Sequence, residues 1–335
     1  MKRFAKAAAC LMPVLLALLV RRLAALHPAQ TERIFSRGVY PAIASAVSFL
    51  SGLFPFPIIE ILIVLFMIFL VYSVFRGRFL RALAWMSAVA CIFLAGWSLN
   101  YFRLPLEATL DLPVHPSERA ELIALCEKLI ADANARHTEP PEDLLIHVNA
   151  ALDAAAARWP IPTGAFSAPK AALSSPLLSR FMIAGVASPF TAEALINGGM
   201  PALSLPFVAC HEAAHVRGFA REEDANLIAY LACEASSEPY FRYSGAANAL
   251  QYALRALAGV DIGAHRALQQ TIAPEVQADF AEIAAYWAPY SRQKAAQVGA
   301  RINDAYLETV GSDQGAASYG RIVDLLLALE RKGDI

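Results

Sequence analysis

The sequence predicts an α+β protein, mostly α, in which three N-terminal transmembrane helices precede a soluble domain carrying a small sheet. Three observations predict that class. Hydrophobic types make up 57% of the 335 residues and charged types only 17%, with a mean hydropathy of +0.45, so part of the chain belongs in a bilayer. Three long apolar runs lie before residue 103. Beyond them, helical periodicity dominates except between residues 160 and 200, where prolines and glycines punctuate short apolar pieces.

The first run, "AAACLMPVLLALLV" (Ala7 to Val20), follows a basic start and is expected to be a retained helix over about residues 5–26. Arg21 and Arg22 come directly after it, where a cleavable signal would place small neutral residues, and both can snorkel to the interface. The second run spans about residues 57–75 with Glu60 near one end, and the third about 82–102 with tryptophans and a tyrosine near its boundaries. Lys2, Arg3 and Lys6 at the start, and Arg76, Arg78 and Arg81 between the second and third runs, orient both segments to the cytoplasm. Residues 104–335 are then extracytoplasmic, on a membrane crossed three times. Residues 27–56, apolar but broken by proline and glycine, are expected to form an interfacial or re-entrant piece rather than a fourth span, one that could also serve as a floor under the soluble domain.

A net charge of −1 and the lack of any Lys/Arg-dense stretch exclude a nucleic-acid partner. Cys126, Cys210 and Cys233 show no close spacing, so the soluble fold does not lean on disulfides. "PSERAELIALCEKLIADANARH" reads as an amphipathic helix, "RFMIAGVAS" and "FTAEALIN" as short strands, and helices resume to the end of the chain. One domain is expected there.

The chemistry concentrates in "HEAAH", His211 to His215, on a helix bounded by Ser204 and Pro206 at its start and Gly218 at its end. Positions i and i+4 stand one turn apart on one face, so His211 and His215 can offer two imidazole nitrogens to one tetrahedral metal. Glu212, about a hundred degrees away around the helix, cannot share that position but can reach a metal-activated water as general base. A second helix, "REEDANLIAYLACEAS", brings Glu222, Glu223 and Asp224 as candidates for the third ligand. Asp224 lies in the middle of the arc defined by Leu227, Ile228 and Leu231, the face expected to point inward, where a bare carboxylate is costly. It is therefore expected to be the ligand, with Glu222 and Glu223 as solvated first-turn acids. Tyr230, Tyr243 and Tyr319 are candidate oxyanion donors, and His147 is read as a core or surface histidine.

"HEAAHVRGFAREEDANLIAYLAC" resembles an uncharacterised, domain-of-unknown-function family of bacterial membrane proteins. "SRGVYPAI", "GWSLNYFRLPL", "SPFTAEALIN", "FRYSG" and "INDAYLETVGSDQGAASYGRIVDLLLAL" are similar to its blocks in the same order. The resemblance implies three membrane helices and an extracytoplasmic zincin-like domain, similar in turn to gluzincin metallopeptidases, whose third zinc ligand is a glutamate after H-E-x-x-H. The matching position, before Ala225 and Asn226, is read as Asp224, a departure from that pattern. The expected function is a membrane-anchored zinc metallopeptidase: Zn on His211, His215 and Asp224, Glu212 as base, and a peptide or protein substrate. The rival expectation is a catalytically silent zincin-like module that binds an envelope peptide or protein.

Overall fold

The computed structural model describes residues 2–310 and 318–334, with side chains for residues 7–302, 304–305 and 321–334. Helix α1 (Lys2–Leu26) leads into the short α2 (Pro28–Gln30), a π-helical segment (Thr31–Val39) and α3 (Tyr40–Gly52). Helix α4 (Ile58–Phe75) and α5 (Phe79–Ile92) follow, and α5 continues through a π turn (Phe93–Trp97) and a 3-10 turn (Ser98–Phe102). Ala7–Leu26, Ile58–Phe75 and Phe79–Phe102 are each long and apolar enough to cross a membrane, within a few residues of the sequence expectation at either end. Leu15, Leu16, Ile63, Val64 and Ile68 are exposed, as lipid-facing side chains would be.

Helices α1 and α5 run parallel. Cys10 lies by the Leu80 carbonyl at one end, and the Arg21 guanidinium covers the Phe102 ring, 5.2 Å from its centroid, at the other. Helix α4 comes between them in the chain and packs against α5.

The remaining chain forms α6 (Leu106–Thr109), α7 (Arg119–Arg136), α8 (Val148–Ala156), β1 (Lys170–Ala171), α9 (Ser175–Arg180), β2 (Gly185–Ser188) and β3 (Glu193–Ile196). Helices α10 (Leu205–Val216), α11 (Glu222–Ala235), α12 (Pro239–Val260), α13 (Ile262–Gln269), α14 (Pro274–Ser291), α15 (Lys294–Val310) and α16 (Ser318–Lys332) complete it. The sheet has the order β1-β3-β2, with β1 parallel and β2 antiparallel to β3, which leaves β2 at an edge. The expected strand pieces thus form β2 and β3, and "RFMI" instead completes α9 and its turn.

Helix α11 is the centre of the core. Every residue from Asp224 to Cys233 is buried, because α8, α10, α12 and α16 surround it. Within residues 27–56, α3 packs against the soluble part of the chain. Ser45 and Ser48 of α3 accept from Ala165 N and Ser167 N at 2.8 and 3.0 Å, and a Cβ on Gly52 would fall 2.8 Å from Ser167 Cβ. Small residues on one face of α3 therefore let it lie flush against the loop that leads into β1.

Candidate metal centre

Helix α10 begins without the side-chain cap expected of Ser204; a 3-10 turn (Ala202–Ser204) feeds directly into it. Its end matches expectation. Gly218 has φ +92, its N–H bonds the His215 carbonyl, and Phe219 N–H bonds back to Ala214. A Cβ there would also strike the Tyr40 ring at 2.9 Å, so two independent constraints require glycine.

That turn reverses the chain so that the first turn of α11 faces the last turns of α10. The close approach is possible because Ala213, Ala214, Ala220 and Ala225 are small and buried. Among the described residues, the ligand-capable side chains brought within 4.8 Å of one another are those of His211, His215 and Glu222. His215 Nε2 lies 3.0 Å from His211 Nε2; Glu222 Oε2 is 3.3 Å from His211 Nε2, and Glu222 Oε1 is 3.6 Å from His215 Nε2. A tetrahedral zinc with ligand bonds of about 2.0–2.1 Å would hold its donors about 3.3–3.4 Å apart. The three separations bracket that edge, and two imidazoles plus a carboxylate are a donor set suited to such an ion. His215 Nδ1 sits 2.7 Å from the Phe219 carbonyl, which fixes its proton on Nδ1 and leaves Nε2 with a free lone pair. His211 Nδ1 is buried without a partner among the described groups, so the two rings are not equally constrained.

Asp224 does not join this group. Its burial, 1% exposed, matches the arc argument, but its Oδ1 accepts from Leu106 N at 3.0 Å and its Oδ2 lies 3.6 Å from Arg221 Nη1. The inference from face to ligand fails for a physical reason. A helix buried on all sides has no single inward face, and the arc of large aliphatics points to core rather than to α10. Glu222, expected to be solvated, is the acid that reaches the histidines. The sequence carried one usable signal: a short link between antiparallel helices places the first residue of the second opposite the last turn of the first.

Glu212 is buried beneath β2. Ala187 N–H donates to its carboxylate, and a Cβ on Gly185 would fall 2.6–2.9 Å from Glu212 Cγ, Oε1 and Cδ. Gly185 is thus the residue that lets the edge strand lie against the carboxylate, and sequence reasoning missed it. Burial raises the Glu212 pKa, partly offset by His211 and His215. For Glu222 burial acts in the same direction, but hydrogen bonds from both histidines outweigh it and hold the carboxyl well below the usual range. Burial would lower the His215 pKa, yet Glu222 beside it and Glu212 nearby raise it to about 9.

The tyrosines singled out from sequence lie elsewhere. Tyr230 is close to Glu234, Asp132 and Arg136; the Tyr243 hydroxyl donates to Asp279; and the Tyr319 side chain lies outside the described residues. His147 packs edge-on to Phe241. The phenol near the site is Tyr252 on α12, whose ring centroid is 6.2 Å from that of Phe207; burial and the Glu222 charge raise its pKa to about 12.

The model of a family described as protein of unknown function (DUF3810) matches residues 35–327, and so covers the second and third long apolar helices and the His–Glu cluster. Comparison with curated proteins and with solved structures returns no match.

Proposed function

This chain belongs to the DUF3810 family, whose description assigns no activity, and we propose from its site that it is a membrane-anchored zinc metallopeptidase acting outside the cytoplasm. The observation that carries the reading is the convergence of His211, His215 and Glu222 at tetrahedral spacing, with Glu212 beside them and an open strand edge above. His211, His215 and Glu222 replace the expected set with Asp224. Zinc held there would supply Lewis acidity, which lowers the pKa of water and polarises a carbonyl.

The chain's own residues do the rest. Glu212 accepts the proton of the attacking water at its carboxylate and returns it to the departing amine. The peptide lies extended along β2, which pairs with β3 on one side and meets Glu212 through its Ala187 N–H on the other. Phe219's carbonyl holds His215 in the ligating tautomer. Tyr252, close enough for the Glu222 charge to raise its pKa, is a hydroxyl available to a developing oxyanion. The side of the membrane follows from charge: Arg76, Arg78 and Arg81 lie at the same end of the helices as the basic start, which supports a cytoplasmic N-terminus.

The test combines metal analysis with hydrolysis. The full chain in proteoliposomes should carry one zinc and cut a randomised peptide library supplied both free and membrane-anchored, and Glu212→Gln should keep the zinc and lose the cutting. Zinc present with no hydrolysis of any peptide would instead leave a silent binding module.

A further inference from the structure

Both sides of the His–Glu site are tied to the same ends of the apolar helices. On the α10 side, Trp97 Nε1 donates to the His215 carbonyl at 3.4 Å, Tyr40 Oη to the Val216 carbonyl at 2.9 Å, and Arg103 Nη1 to the Gly218 carbonyl at 3.0 Å. Arg103 is itself held by a two-pronged ion pair with Glu32, both contacts 2.8 Å, and stacks over Phe219 at 4.4 Å. On the sheet side, the Glu193 carboxylate of β3 accepts from Ile58 N and Ile59 N, both at 3.0 Å, which caps the second span. Lys170 of β1 pairs with Glu193 at 2.7 Å, and Glu60, inside that span's first turn, accepts from Leu173 N and Ser174 N.

The span lengths place the lipid boundary there. Ile58–Phe75 has 18 residues and rises about 27 Å. Phe79 to Trp97 rises about 28 Å, and the chain passes from lipid-exposed to fully buried at Trp97 itself. Each length matches a hydrocarbon core of about 30 Å, so Ile58 and Trp97 mark the same edge of it. Exposed Leu53, Phe54 and Phe56 come just before Ile58, and exposed Leu173 and Leu177 come next to Glu60's partners, giving this level an apolar rim. Since the His215 backbone touches Trp97, its imidazole stands within about 15 Å of the hydrocarbon edge, inside or just beyond the headgroup layer, which is about 5–8 Å deep.

A site at that depth is poorly placed for polypeptides diffusing in bulk solvent. Resting on the peptidase reading, we infer that the substrate is a polypeptide anchored in the same membrane, cut in the segment that emerges from the lipid. An extended chain rises about 3.3 Å per residue, so a height of up to about 15 Å corresponds to a scissile bond within about the first six residues outside the substrate's own span.

The experiment uses the full chain in proteoliposomes with one probe: a transmembrane helix followed by a randomised segment of about 30 residues, long enough to extend well beyond the headgroups. Cut sites are mapped by mass spectrometry, with Glu212→Gln as background and zinc measured in the same samples. Cuts should concentrate at least tenfold within the first six residues after the helix. Cuts spread evenly along the segment, or favouring its distal half, overturn the inference and leave the peptidase intact. No cuts anywhere with zinc present remove the peptidase reading and this inference together.

Discussion

Helices α10 and α11 build the site together, yet they hold their groups by different means. On α10 the spacing of the motif is sufficient: His211 and His215 are one turn apart, and any helix through these residues brings their Nε2 atoms together, here at 3.0 Å. On α11 spacing is uninformative, because Asp224 and its successors to Cys233 are buried on every side and no exposed face distinguishes inward from outward. There position is set by a partner, the reversal at Gly218 that lays Glu222 against the histidines and turns Asp224 to Leu106. A motif within one helix is thus local information, whereas a ligand from a second helix is tertiary information.

The largest effect that sharpens this contrast is at the base. Glu212→Gln should lower kcat by about 10²–10⁴ with zinc content unchanged, since Glu212 is assigned to proton transfer and not to coordination. Steady-state hydrolysis with metal analysis checks both halves, and an active Glu212→Gln protein would show that the motif is structural. Gly185→Ala tests the strand side of the site. Its Cβ would overlap the Glu212 carboxylate, and displacing that group by about 1 Å should cost up to about a hundredfold in kcat, again with zinc retained. Unaltered kcat there would mean that Glu212 works from a different position.

A smaller effect is expected at the turn that positions α11. Gly218→Ala puts a side chain at φ +92 and against Tyr40, a cost of about 1–2 kcal/mol from the backbone alone, read as a lowered Tm together with weaker zinc binding. Loss of Tm without loss of zinc affinity would detach the turn from the placement of Glu222. The smallest effect is none: Asp224→Asn keeps an acceptor for Leu106 N–H and should leave zinc affinity unchanged.

Much of this was legible from residues alone, and the limit falls where local pattern ends. The three apolar helices, the strands β2 and β3, helix α10 and its stop at Gly218 follow from run length, punctuation and a glycine that φ and Tyr40 both demand. The start of α10 differed because a 3-10 turn took the role assigned to a Ser204 cap. Glu222 was misread because a first-turn acid is usually solvated, and nothing in "REED" records which acid faces a neighbouring helix. Gly185 and Tyr40 were silent for the same reason, and Trp97 was legible only as a boundary residue of the third run: each matters through a contact made across the fold, with Glu212, Val216 and His215 respectively.

The central claim is that α10 supplies two ligands and Glu222 the third. Zinc titration of the wild-type chain, Glu222→Ala and Asp224→Asn, side by side in detergent, tests it most directly. One zinc per wild-type chain, a loss beyond the roughly 10–100-fold that an outer partner costs in Glu222→Ala, and wild-type affinity in Asp224→Asn are the predicted results. Zinc retained without Glu222 and lost with Asp224→Asn would contradict it.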